Sequence, residues 1–488
     1  MTSTKKNYIY NLILNISNIL ISIVIIPFLS RKLGSEQIGI YSYTNSVVSF
    51  FMLFSLLGIK NYGNRLIAGL SDKKEKSKEF LSLYTLQIVV SILVSIVYIL
   101  YTVMLCEKIY QPVAFVQTLH LLSVTFEVNW FYYGNEEFKL PLIVGTVSKF
   151  IYFLLILTFV HNPSDLIVYT IIVSFYSLIN NICLVCLLRK QIFIVKFTSK
   201  DVLKHLKPCL VLFLPVISVS IYKIMDKIML GKMTSMIEVG LYEQAEKITR
   251  IPLQLISTLE AVMLPRMTNI ISSKNENTIQ IDKSISNSLG FIMFAIMPIV
   301  TGLICIADDF VPLFLGYEFY GSSTLLKGLS MSLVFIAYGC VIRTHYIIPK
   351  KKDKIYVYSV TLGATFNIIL NFILIPTLGA KGAVIATILA EFIVVFYQSL
   401  CLKKFLDLKR YIKVILNYLV KTLIMSIFVV LVGLINFKSI YLKLLVQIIV
   451  GIVIYSILNI NNMIDFLPKK KLVLIAKIKS NIMNGGKI

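Results

Sequence analysis

Apolar runs of span length recur from one end of the chain to the other, separated by short polar stretches. A helix rises 1.5 Å per residue, so about 20 mostly apolar residues cross a hydrocarbon layer about 30 Å thick. That criterion predicts helices at 9–29, 38–59, 81–105, 112–132, 140–160, 165–188, 209–231, 250–271, 285–307, 326–348, 356–376, 380–402, 414–435 and 440–460. The expected fold class is all-α: a polytopic membrane protein of about fourteen transmembrane helices. The opening "MTSTKKNYIY" leads straight into the first apolar run without a small-residue cleavage site, so it reads as a first span and not as a removed signal peptide.

Composition agrees with this pattern. The 488 residues are 57% hydrophobic and only 15% charged, too little charge for the surfaces of soluble domains. The net charge of +24 would fit a nucleic-acid binder if it were clustered on one face. Instead the basic runs "SDKKEKSKEF", "PKKKDK", "LKKFLDLKRYIK" and "LPKKKL" are short and lie between apolar segments, as cytoplasmic loops do. Nucleic acid is therefore not an expected partner. With both termini cytoplasmic, inward segments carry about four times as many Lys and Arg as outward ones. No outward segment is long enough to hold a catalytic domain. Cys183 and Cys186 form a C-x-x-C without a second pair or an adjoining His, and read as packing residues. The four His make no metal-ligand spacing, and no GxxxxGK[ST] phosphate loop occurs.

A weak internal repeat appears at an offset of 201 residues. Gly39-Ile40-Tyr41 falls on Gly240-Leu241-Tyr242, and Arg65 falls on Arg266. Six spans separate the two copies, an even number, so both point the same way. Parallel repeats imply two six-helix lobes about an axis along the membrane normal, with a cavity between them. The expected division is 1–200 for the first lobe, 201–405 for the second, and 406–488 for two appended helices and a basic tail.

The segments "PFLSRKLGSEQIGIYSY" from Pro27, "FEVNWFYYGNEEFK" from Phe126, "MDKIMLGKMTSMIEVGLYEQAEKI" from Met225, "VMLPRM" from Val262 and "PTLGAKGAVIAT" from Pro376 carry a family resemblance. Together, and in this order, they resemble the Wzx-type lipid-linked oligosaccharide flippases of capsule and O-antigen assembly, in the multidrug/oligosaccharidyl-lipid/polysaccharide exporter superfamily. The resemblance implies a two-lobed transporter in the bacterial plasma membrane and no enzymatic activity. By the same resemblance, such a transporter would move an undecaprenyl-diphosphate-linked repeat unit from the cytoplasmic to the outer leaflet by alternating access. It also implies a cationic cavity, coupling to H+ or Na+ with no other cofactor, and the polysaccharide polymerase and export machinery as neighbours.

Charged residues inside spans are the candidate site, because each costs about 2.5–3.5 kcal/mol at mid-span. The seventh span carries three, Lys223, Asp226 and Lys227, and with Ser220 they fall within an arc of about 120°. Their cost exceeds what the apolar residues of that span return, so this face is expected to line an aqueous cavity that receives anions. The competing reading has Lys227 reaching the outer headgroups while Asp226 pairs with Lys223. Arg343 and Lys149 are further candidates for the diphosphate, Arg being suited to bidentate phosphate contact. Arg65 and Arg266 end their spans on the inner side, and Arg31 and Lys32 end the first span on the outer side; each is divided between substrate and headgroup contact.

For coupling, a buried carboxylate must load and release a cation. Asp226, Glu391, Glu260 and Glu127 are the candidates, with structural pairing to a neighbouring Lys or Asn the alternative for Glu391 and Glu260. Trp130, Phe131, Tyr132 and Tyr133 beside Glu127 read as an interfacial aromatic belt. Pro215, early in the seventh span, is expected to kink it. Two other classes compete with the flippase. A cation-coupled drug antiporter would favour an acidic cavity, and a membrane polysaccharide polymerase or acyltransferase would need a large external loop or paired catalytic groups.

Overall fold

The protein was studied as a computed structural model, in which residues 3–189, 191–272 and 278–465 are described. The side chains of residues 3–20 and of some positions within the seventh and eighth spans, Pro215 and Lys223 among them, lie outside that set. The expectations resting on those two residues therefore fall outside the described residues. Elsewhere the chain is helical, with no strand among the described residues.

The first two spans form α1 (Ser3–Leu56), which folds back at Gly34, whose φ of 78° a side chain resists. Glu318 accepts hydrogen bonds from the Ser35 N–H and hydroxyl there, both at 2.6 Å. A short α2 (Ile59–Ala68) follows another left-handed glycine, Gly58. Then come α3 (Lys73–Met104), α4 (Gln111–Ser123), α5 (Asn129–Gly134), α6 (Lys139–Phe159) and α7 (Leu166–Leu188). After the small α8 (Ser199–Leu203), the chain continues through α9 (Leu206–Met233), α10 (Met236–Ser272), α11 (Thr278–Leu315) and α12 (Ser322–Ile342). It closes with α13 (Asp353–Leu378), α14 (Ala380–Leu402), α15 (Leu408–Gly433), α16 (Ile440–Leu458) and α17 (Ile460–Asp465).

Each of the fourteen expected spans thus has a helix. Ten stretches among the described residues are apolar and long enough to cross a membrane, the first of them holding both limbs of α1. Broken α4–α5 and the charged α9 and α10 account for the rest. Large apolar side chains such as Val97, Phe150, Phe372, Phe396, Ile427 and Ile452 point outward from the bundle. In water that surface would aggregate; in a bilayer it is the lipid-facing side. Cys183 and Cys186 are also on this exposed surface rather than in the packing.

The chain alternates between two ends. One is lysine-poor and holds the turns at Gly34, Thr234–Ser235, Gly316 and Gly379; the other carries the lysine-rich loops. Helices α1 to α7 associate chiefly with one another, as do α9 to α14, while α15 and α16 lie on α11. The two groups meet mainly where the second limb of α1 crosses α10. At that crossing the 201-residue offset becomes a physical contact. A Cβ built on Gly39 would fall 2.6 Å from the Met236 carbonyl carbon, and one on Gly240 would fall 2.9 Å from that of Ser35. Ser35 and Met236 are themselves 201 apart, so the contact is reciprocal, as at a two-fold axis.

Two expectations need correction. The fourth span is not continuous: it narrows to a 3-10 turn at Val124–Phe126, and Glu127 is extended before α5 resumes. The amide of Gln87 donates to the carbonyls of Val124 (2.8 Å), which also takes the Glu127 N–H, and of Glu127 (2.9 Å), which makes the break tolerable inside the bundle. Nor do the aromatics beyond it form a belt. Trp130, Phe131 and Tyr132 are fully buried, and Trp130 donates to the Gln87 side-chain oxygen at 3.1 Å; of the four, only Tyr133 is exposed.

Candidate functional site

The eighth helix begins earlier than hydropathy suggests. "MIEVGLYEQAEKITR" reads as an outward loop because its charges depress any averaging window, yet it forms the first fifteen residues of α10. Lys247 and Arg250 therefore lie about 16 and 21 Å into the helix from its lysine-poor end, near the middle of a 30 Å layer. Neither was singled out from sequence. The available signal was their spacing with Glu243 and Glu246, two i,i+4 pairs that only a helix forms: Lys247–Glu243 at 3.3 Å and Arg250–Glu246 at 2.7 Å.

Lys227 joins this network from α9. It is buried, and its Nζ sits 2.8 Å from Glu243 and 3.3 Å from Glu246, so it does not snorkel to headgroups. Glu243 also accepts from the Ser42 hydroxyl of α1 at 2.8 Å, a bond between positions 201 apart. Asp226 faces another way. Its carboxylate accepts from Asn371 Nδ2 (2.6 Å), the Tyr242 hydroxyl (2.8 Å) and the Thr387 hydroxyl (2.9 Å). Three neutral donors hold it, and Lys227, next in sequence, pairs elsewhere.

Two cavities flank α10. The smaller, about 270 Å³, opens between α1, α6, α7 and α10. Among the described residues its charged lining is Lys149, Lys247 and Arg250, with no carboxylate, and Tyr152, Tyr169 and Gln244 add polar surface. The larger, about 580 Å³, is enclosed by α9, α10, α12, α13 and α14. Asp226, Glu246, Glu260 and Glu391 line it together with Arg250 and Arg343. Among the described residues, Arg250 is the charged group common to both.

Arg343 and Glu260 are held by each other across the larger cavity: the guanidinium donates through Nε at 2.9 Å and through Nη2. Thr344 adds a bond to the same carboxylate at 3.2 Å, and the Arg343 guanidinium lies 5.2 Å from the Tyr356 ring centre. A single-turn π-helix, Arg343–Ile347, starts at this arginine; such turns often mark functional positions and left no trace in hydropathy.

The remaining candidates lie apart. Arg31 caps α11 by donating to the Leu313 carbonyl. Arg65 on α2 and Arg266 on α10 are exposed and line neither cavity. Glu127 accepts from its own loop, from Asn129 at 2.8 Å. The lysine-poor end is cross-tied between the two helix groups by Ser42–Glu243, by Glu318 on Ser35, by Arg31 on Leu313 and by Lys232–Glu107 at 3.3 Å.

A many-spanned helical bundle with a charged cavity between two groups of helices is the architecture of a membrane transporter. The chain belongs to the polysaccharide biosynthesis protein family, whose model matches residues 4–271. It is 22% identical over 404 residues to a putative O-antigen transporter of Shigella dysenteriae, covering 82% of this chain and all of that one. Among solved structures, the lipid II flippase MurJ in an inward closed conformation superposes with a TM-score of 0.76 at 17% identity, covering 93% of this chain and 97% of that one. An inward-facing multidrug resistance MATE family transporter of the MOP superfamily follows with a TM-score of 0.60 at 14% identity, covering 82% and 95%. At these identities the structures speak for the fold alone.

Proposed function

We propose that this protein is a flippase for an undecaprenyl-diphosphate-linked oligosaccharide repeat unit, moving it from the cytoplasmic to the outer leaflet of the plasma membrane. One observation carries the reading: a mid-membrane cavity between the two helix groups whose charged lining among the described residues is cationic, Lys149, Lys247 and Arg250. Lys247 and Arg250 pair at present with Glu243 and Glu246, and three cations converging on one space fit an anionic ligand that arrives and leaves. A diphosphate supplies the charge, and the guanidinium fork of Arg250 suits its oxygens. The reading puts the lysine-rich end in the cytoplasm.

Binding would act on the crossing itself. Lys247 and Arg250 now pair with Glu243 and Glu246, and Glu243 is also bonded to Ser42 across the interface. A diphosphate competes with those carboxylates for the two cations. Drawing them off leaves Glu243 and Glu246 to Lys227 and Ser42 alone, so arrival of substrate rearranges the charges at the crossing of α1 and α10 and biases the two helix groups there. The reset step belongs to a cation at the Asp226 carboxylate, beside Asn371, Thr387 and the larger cavity where Glu391 also lies. Glu260, engaged by Arg343, is a poorer carrier.

The antiporter reading is disfavoured by the sign of the smaller cavity. The polymerase and acyltransferase readings find only short connections at the lysine-poor end. The test is deletion with complementation: without the protein, lipid-linked repeat units accumulate on the cytoplasmic leaflet, and Lys247→Ala/Arg250→Ala fails to clear them. Unchanged levels in the deletion strain would refute the proposal. For coupling, Asp226→Asn proteoliposomes should lose the dependence of transport on an imposed cation gradient; retention removes Asp226 from that role.

A further inference from the structure

We propose that the loops joining α12 to α13 and α14 to α15 together form a binding site for the headgroup of an anionic phospholipid, in the leaflet at the lysine-rich end. One side chain brings the two loops together. Lys352 holds its ammonium 3.6 Å from the ring centre of Phe405 and 5.2 Å from that of Tyr346, the two rings being 6.4 Å apart. Tyr346 belongs to the π-helical turn that begins at Arg343, so the lysine joins that turn to the α14–α15 loop. An uncommon backbone conformation places it: Lys351, the residue before, has a φ of 54°, in the left-handed region that a side chain disfavours. The N–H groups of Lys351 and Lys352 close this bend on the carbonyls of Ile348 and Ile347, at 2.9 Å each. Such strain persists where the surroundings fix it, and here it holds a cation in advance over an aromatic pair.

The charge around Lys352 calls for an anion. Residues 350–354 and 403–410 carry eight lysines and arginines against two carboxylates, Asp353 and Asp407. Asp407 caps α15, accepting from the Arg410 N–H at 3.2 Å. Asp282, which reaches this loop from α11, accepts from the Tyr411 hydroxyl and the Asp407 N–H. Lys351, Lys354, Lys403 and Lys404 are exposed, and none of them forms an ion pair among the described residues. The lysine-rich start of α3 differs: Asp72, Glu75 and Glu79 are interspersed there, and Lys78 pairs with Asp201 at 2.9 Å. A lipid fits better than a soluble anion because the patch continues the lipid-facing surface, with Phe396 and Leu400 of α14 and Phe405 beyond them each about half exposed. None of these cations lines either cavity, so the patch is separate from the two spaces beside α10. A phosphate bound here meets several cations while its acyl chains lie along α14, and basic clusters beside spans bind anionic headgroups in this way.

The test uses the full chain in detergent, titrated with short-chain phosphatidylglycerol, with phosphatidylcholine of the same chain length, or with inorganic diphosphate. The readout is the thermal midpoint, which rises when a ligand binds the folded state. Phosphatidylglycerol should raise it in a saturable way, and the other two at equal concentration should not. Lys352→Ala/Lys403→Ala should raise the half-saturating concentration about tenfold. Lys73→Ala/Lys74→Ala at the start of α3 controls for overall charge and should leave it within about twofold. Lys352→Arg keeps the charge and the aromatic contact and should bind as the native chain does, which separates a lost cation from a damaged fold. Equal shifts with phosphatidylcholine overturn the proposal, because no headgroup is then recognised. A diphosphate shift matching that of phosphatidylglycerol overturns it too, since the site would then take any soluble anion. Equal losses in the two double variants do the same, the response then reporting net charge alone. The comparison of the three additives on the native chain decides even where a variant does not fold.

Discussion

Gly39→Ala is the sharpest perturbation the fold offers, because it adds one methyl group at the crossing of α1 and α10. The new Cβ would lie 2.6 Å from the Met236 carbonyl carbon and 3.1 Å from the Gly240 nitrogen, with the Met236 oxygen closer still. Carbon atoms settle at about 3.5–4.0 Å, so the helices must separate by about 1 Å. The obstacle is backbone, which cannot rotate away. Overpacking of this kind costs about 1–3 kcal/mol, or a factor of roughly 5–150 against the conformation that holds the crossing closed. Gly240→Ala should behave alike, its Cβ lying 2.9 Å from the Ser35 carbonyl carbon. The double variant should cost less than the sum, since one separation relieves both methyl groups. Gly302→Ala is the control, with nothing within 4 Å of its Cβ. Spin labels at the exposed positions Ile109 and Tyr317, in a background without the seven native cysteines, report the distance across the lysine-poor end. Both glycine variants should shift the distance distribution toward longer values, and the control should not. An unchanged distribution together with an unchanged thermal midpoint would refute the reasoning, because a methyl group would then have found room that the structure denies it.

Three further outcomes follow from named contacts. Lys227→Met leaves Glu243 and Glu246 buried without their shared cation and should destabilise the protein by about 3 kcal/mol in thermal unfolding; Lys247 and Arg250 keep it from the upper end of the 3–5 kcal/mol range. Adding Glu243→Gln should recover part of the loss, and a double variant worse than the single would contradict this account. Trp130→Phe deprives the Gln87 side-chain oxygen of its donor and should cost about 1–3 kcal/mol, while Gln87→Leu, which takes the amide from the Glu127 carbonyl, one of two donors from the Val124 carbonyl and the acceptor from Trp130, should cost more; the reverse order in a melting comparison would count against the broken-span description. His205, at the lysine-rich start of α9, bonds Tyr62 and Ser82 at 2.9 Å each, and burial lowers its pKa below the ordinary imidazole value despite Glu79 nearby. Its neutral form is therefore the stable one: the contribution is fully present above pH of about 6.5 and is lost as pH falls through the lowered value. A thermal midpoint that declines between pH 8 and pH 5 in the native chain but not in His205→Gln is the expected signature, and equal declines would sink it.

Hydropathy located the spans because lipid-facing surfaces demand uninterrupted apolar sequence, and α3, α6, α7 and α13 to α16 meet that demand. It failed where the surroundings of a helix are protein. The first half of α10 carries Glu243, Glu246, Lys247 and Arg250, and an averaging window counts each as a loss. In the bundle they neutralise one another and Lys227, so the actual cost is far smaller than the summed transfer values. The same blindness hid the break before α5, where a single buried amide, Gln87, replaces the helical hydrogen bonds that Glu127 gives up. It also turned Trp130 and its neighbours into a supposed belt, since aromatic residues in sequence look the same whether they meet headgroups or a helix such as α2.

The repeat was legible for a different reason. Gly39 and Gly240 are glycines because two backbones pass within reach of one another, and that requirement acts on both copies equally. Elsewhere the copies are free to diverge, and they do: Gly58 ends the second limb of α1 with a left-handed turn, while its counterpart Leu259 sits inside the unbroken α10. This asymmetry has a functional side. Because α10 does not break, it runs on past the crossing as a continuous wall, with Lys247 facing the smaller space, Glu260 facing the larger and Arg250 at the edge of both. A break at the position matching Gly58 would have divided that wall just before Glu260. The charges that made α10 hard to recognise as a span are thus the ones that line both spaces, with Lys247 and Arg250 on the wall of the smaller and Glu246, Arg250 and Glu260 on the wall of the larger.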